Sequence, residues 1–95
     1  GTATAAGSSA MPAGALAELT RLGDPDALTA CVGAVVAEHG GRPTVVDYAR
    51  FESQPVLVVV LVGSPAAPGR RYVVVVGPDC GRSGSGADQR YAVAE

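Results

Sequence analysis

Residues 55–81 read PVLVVVLVGSPAAPGRRYVVVVGPDCG. Two valine-rich runs of strand length flank a loop built on Pro65, Pro68 and Gly69, and a cysteine, Cys80, follows the second run. β-Branched side chains favour the extended, pleated chain, while proline and glycine interrupt it. Residues 56–62 and 71–76 are therefore expected to be two strands of one sheet. Side chains alternate across a sheet, so Val56, Val58, Val60 and Val62 share one face and Leu57, Val59 and Leu61 the other. In the second run, Val74 and Val76 oppose Val73 and Val75. Both faces are apolar. Two helices are expected to cover one face. The other needs the segment 15–22 wrapped around it, a second copy of the chain, or a protein partner. The residues expected to form that interaction face are Val56, Val58, Val60, Val73 and Val75.

Outward from this pair, residues 44–52, TVVDYARFE, read as a preceding strand, half exposed because Asp47, Arg50 and Glu52 interrupt it. A tight turn at residues 53–55 joins it to the next strand. After the second run, residues 77–89 (GPDCGRSGSGADQ) read as a flexible loop, and residues 90–93 as a short fourth strand. Connections this short favour an antiparallel meander.

Upstream lies the strongest local signal, Asp24-Pro25-Asp26. It combines an N-cap carboxylate, a proline at the first helical position, and a second acid near the positive end of the helix dipole. Leu28, Cys31, Val32, Val35, Val36 and His39 then recur on one helical face, and Gly40-Gly41 supplies the stop. A helix over 25–39 follows. Leu16, Leu19 and Leu22 suggest a shorter first helix over 15–22, ended by Gly23. Residues 1–14, GTATAAGSSAMPAG, are small and uncharged and carry too little apolar surface to offset the entropy of ordering. They read as a tether, with room for a proteolysis site. The expected architecture is α+β: a four-stranded antiparallel β-meander with two N-terminal helices packed on it and one disulfide, over residues 15–95 as a single domain.

The chain has 95 residues and a formal charge of −2. All seven basic residues are arginine, and five of them, Arg50, Arg70, Arg71, Arg82 and Arg90, are candidates for a small positive patch. An acidic chain without aromatic interleaving of its arginines is not expected to bind nucleic acid, and edge protection is the commoner role of such charges. The longest apolar run, 56–62, is far short of the roughly 20 residues of a spanning helix. The chain starts at Gly1, so it reads as a processed fragment whose membrane anchor, if it has one, lies upstream.

Two cysteines, Cys31 and Cys80, suit one disulfide in an oxidising compartment. A helix packed on the sheet can bring them together. Two separate thiols are the alternative, and no C-x-x-C spacing marks a redox pair. His39 is the single histidine, and a histidine in a last helical turn is expected to meet the dipole rather than a metal. Asp47, Glu52, Asp79 and Asp88, with Ser53, Ser64, Ser83 and Ser85, read as solvated loop and edge residues with no nucleophile–base pairing. The glycines of 77–86 miss the phosphate-loop spacing. No catalytic residue, cofactor or metal is expected. A small thiol enzyme using Cys31 or Cys80 beside His39 is a rival reading, as is a homodimerisation or assembly domain.

The stretches RPTVVDYARFE (42–52), PVLVVVLVG (55–63), RYVVVVGPDCG (71–81) and ADQRY (87–91) resemble a C-terminal segment of actinobacterial membrane proteins, the extracytoplasmic domains of anti-sigma factors. V-G-P-D-C-G at 76–81, paired with the helix cysteine Cys31, is its most specific part. The alanine-rich, lysine-free composition suits the same GC-rich type of genome. The resemblance implies an extracytoplasmic, non-enzymatic module of a membrane-anchored transcription regulator, acting through a protein partner or a second copy. It also implies an N-terminal cytoplasmic sigma-binding domain, and sigma binding is not assigned to this chain, which lacks the H-x-x-x-C-x-x-C zinc motif of many such domains.

Overall fold

The computed structural model describes residues 21–95. A 3₁₀ turn (Arg21–Gly23) leads into helix α1 (Pro25–His39), and four strands follow: β1 (Arg42–Phe51), β2 (Gln54–Val62), β3 (Arg71–Val76) and β4 (Gln89–Ala94). The strands form one antiparallel sheet in the order β1-β2-β3-β4, the expected meander. The two expected helices become one α-helix and a 3₁₀ turn among the described residues. Residues 15–20 of the first expected helix lie outside them. Gly23 and the capping Asp24 stop any continuous helix through Leu22.

α1 starts as its sequence dictates. The Asp24 carboxylate accepts the Ala27 N–H at 3.1 Å, and Pro25 occupies the first turn. It ends where Gly40 turns to φ 73° and donates to the Val36 carbonyl at 2.7 Å. Gly41, at φ 85°, runs so close to β2 that an added Cβ would sit 2.8 Å from the Val62 carbonyl oxygen. Both glycines are therefore required at this reversal. Ser64, expected to be solvated, is buried at this corner instead. Its hydroxyl donates to the His39 carbonyl at 2.6 Å and accepts the Ala66 N–H at 3.1 Å. It satisfies a helix-end carbonyl that would otherwise be orphaned.

The core lies between α1 and one face of the sheet. Cys31 and Val35 meet Leu57, Val59, Leu61, Val74 and Val76, with Leu22 and Ala87 at its margins. The register places Leu57 against Val76 and Val59 against Val74, so the two strands contribute alternate residues to this face. The β1–β2 turn sits one residue earlier than expected, at Glu52 and Ser53. Both take positive φ (52° and 67°), the primed hairpin geometry that matches strand twist. Pro55 is thereby buried inside β2, paired with Arg50.

Cys31 and Cys80 form a disulfide, and both are fully buried. The expected flexible loop 77–89 is a run of turns closed by backbone hydrogen bonds, including Gly77 N–H to Asp88 O at 2.9 Å and Gly81 N–H to Gly86 O at 2.7 Å. Gly81, at φ 79°, lies directly on the helix backbone. A Cβ there would come within 2.7 Å of Ala30 C and Cys31 Cα. Arg21 donates to the carbonyls of Pro78 and Cys80, and the Tyr48 hydroxyl donates to the Leu22 carbonyl at 2.9 Å. These bonds tie the segment entering the domain to both β1 and the disulfide loop.

Candidate interaction face

The sheet face away from α1 is ordered by register into rows that cross all four strands. Val45 pairs with Val60, Val60 with Val73, and Val73 with Val93, giving an unbroken valine row from edge to edge. Asp47, Val58, Val75 and Tyr91 form the next row on one side. On the other side, Arg42 pairs with Val62 and Val62 with Arg71, whose backbone exchanges hydrogen bonds with Glu95 at 2.8 and 3.3 Å. The face is thus a valine platform with Arg42, Arg71 and Glu95 along one margin and Asp47 at the β1 edge of the opposite row.

The far end carries an aromatic clamp. Phe51 and Tyr91 sit on opposite edge strands, yet their rings stack with centroids 5.5 Å apart. With β2 and β3 between them, the rings must arch over the middle of the face, which protects the valines there. Val56 is 1% exposed and Val75 is 7% exposed, although both point away from the helix. Val58, Val60, Val62 and Val73 are half-buried, whereas Val45 and Val93 at the edges are exposed. Of the five residues read as the interaction face, Val58, Val60 and Val73 line the open platform. Val56 and Val75 lie beneath the clamp.

Sequence reasoning missed the clamp. Its signal was parity: Phe51 falls in step with Val45, Asp47 and Ala49, and Tyr91 with Val93, so both rings point to the outer face of the two edge strands.

The other candidate groups take structural positions. His39 is largely buried, edge-on to Tyr72 at 5.1 Å, with Nε2 2.6 Å from Gln89 Oε1 and 3.5 Å from Glu38 Oε1. It links the helix end to β4 rather than serving the dipole alone. The arginines do not gather. Arg90 holds the Asp88 carboxylate, Arg82 meets Asp79 at 3.4 Å, Arg71 meets Glu95 at 3.3 Å, and Arg50 and Arg70 donate to main-chain carbonyls. Among the described residues, no three His, Cys, Asp or Glu side chains converge as metal ligands would. With both sulfurs in the bridge, neither Cys31 nor Cys80 is a free nucleophile.

Leu28, Thr29, Val32, Gly33 and Val36 line a shallow open groove on α1, with Leu28 and Val36 also packed against the core. No polar group converges in it.

The family model of the C-terminal extracellular domain of the anti-sigma factor RsmA matches residues 1–93. The chain belongs to this family. No curated protein and no solved structure matches it. The domain is extracellular, the oxidising side of the membrane on which a disulfide such as Cys31–Cys80 persists. Anti-sigma domains of this kind are not an enzyme family.

Proposed function

We propose that this domain is the non-enzymatic sensory and interaction module of a membrane-anchored anti-sigma factor, with residues 1–14 as its connection to the rest of the regulator. One observation carries the reading: the Val45–Val60–Val73–Val93 row spans the sheet on the side no described element covers. An extended apolar surface of this kind is unfavourable in water and marks a protein contact in soluble domains. Binding on the platform alters the restraint on the segment entering at Arg21 and Leu22, which is bonded to the disulfide loop and to Tyr48. Occupancy outside the cell thereby reaches the sigma-binding part of the regulator.

The test is a Val93→Glu substitution in the full-length regulator, read by a sigma-dependent reporter and by the amount of regulator in the membrane fraction. Val93 is 36% exposed on an edge strand, so the change leaves the core intact. The expected result is an altered reporter response at unchanged protein level. An unaltered response across inducing and non-inducing growth conditions overturns the proposal.

A further inference from the structure

Resting on that reading of the platform, we infer that its occupant is a second copy of this same domain, packed face to face about a two-fold axis. The charge layout carries the inference. The margin row runs Arg42, Val62, Arg71, Glu95 from one edge of the sheet to the other. Its basic end is on β1 and its acidic end is the residue that follows β4. A two-fold axis parallel to the strands, passing between β2 and β3, lays β1 of one copy over β4 of the other. Every row then meets itself reversed.

Reversal is what this surface suits. Val45 comes over the partner's Val93, and Val60 over the partner's Val73, so the valine row is apolar against apolar throughout. Arg42 comes over the partner's Glu95, and symmetry makes that contact twice. Arg42 has no ion-pair partner among the described residues, and Glu95 has a second carboxylate oxygen beyond the one at 3.3 Å from Arg71. Packed sheets lie about 10 Å apart, a gap that an arginine and a glutamate side chain together span. The two Phe51–Tyr91 clamps abut at the other end, forming a cluster of four rings. In the Asp47 row, Asp47 comes over the partner's Tyr91 and Val58 over the partner's Val75, and in the margin row Arg71 comes over the partner's Val62. The valine row against itself and Arg42 against Glu95 supply the self-complementarity that an isologous interface requires.

The area sets the strength. Four strands about 4.8 Å apart and three to four rows give a platform of about 19 by 20 Å, roughly half the 800 Å² per partner of a standard stable interface. The isolated domain therefore self-associates weakly, in the range of roughly 0.1–1 mM, and attachment to one membrane plane supplies the effective concentration that makes pairing complete.

The experiment is sedimentation velocity of the purified oxidised domain from about 10 µM to about 2 mM, with Arg42→Glu, Glu95→Arg and the double charge swap. The wild-type average mass is expected to climb from 9.4 kDa toward twice that value. Each single variant places like charges at both contacts and weakens association about tenfold. The double variant restores it to within about threefold. Both side chains lie at exposed positions, and circular dichroism confirms that each variant is folded. A domain that stays monomeric throughout overturns the inference, as does a double swap no better than the single changes. Mass measurements do not bear on the Val93→Glu reporter test. A monomer whose reporter response still depends on Val93 therefore sinks the dimer alone, leaving a different protein as occupant.

Discussion

Reducing the Cys31–Cys80 bridge opens a loop between residues 49 apart in sequence. In the chain-entropy account, closing a loop of about 50 residues removes about 14 cal/mol/K from the denatured chain, or about 4 kcal/mol at 25 °C. A chain of this length has a total stability of roughly 5–14 kcal/mol, so the bridge is a large share of it. Because both cysteines are fully buried, reductant reaches them only when the domain opens. The reduced form is therefore made in denaturant and refolded with reductant present. Urea unfolding followed by circular dichroism is expected to show the midpoint falling by about 3–4 M, for a slope near 1 kcal/mol/M. The native contacts around the two sulfurs remain, so the reduced chain still folds at low urea. Its loop 77–88, no longer pinned to α1, becomes open to trypsin at Arg82. A stability loss below about 1 kcal/mol would falsify the argument that loop closure is a main support of this fold.

Gly81→Ala in the oxidised protein is expected to cost about 2–4 kcal/mol, since the new Cβ meets helix backbone at 2.7 Å and the residue sits at φ 79°. Thermal melting checks it, and an unchanged melting temperature contradicts the close approach of loop and helix. Ser64→Ala is expected to cost about 2 kcal/mol by leaving the His39 carbonyl and the Ala66 N–H unpaired in a buried corner. Faster amide exchange at Ala66 should accompany the loss. Glu52→Asn with Ser53→Gly is expected to stabilise by about 1 kcal/mol, because both positions hold positive φ that these residues adopt more readily. That corresponds to a melting temperature about 4–8 °C higher, and a lower one refutes the primed-turn assignment.

How much of this was legible in the residues differs by element. The helix 25–39 was readable because its cap, its proline and its glycine stop act within a few residues of one another. The strands were readable because alternation is local, and the meander followed from short connections. The turn at Glu52 and Ser53 was missed because neither residue advertises positive φ. Its geometry comes from the pairing of Phe51 with Gln54. Ser64 was misplaced for a similar reason, since what buries it is a helix end 25 residues away. The glycines of 77–86 looked flexible in isolation, whereas Cys80, Gly81 and Arg21 hold that segment against the helix.

The α+β class, the antiparallel order and the apolar residues on both sheet faces follow from local backbone preference and a period of two, and so are legible residue by residue. Which valines remain open is set by long-range packing. Val56 and Val75 have the same parity as Val58 and Val60, and what separates them is two aromatic rings arriving from opposite edges of the sheet. The joining of Cys31 to Cys80 and the charged margin from Arg42 to Glu95 have the same origin. Each brings together residues 49 or more positions apart, a proximity set by packing and register rather than by any local preference of the chain.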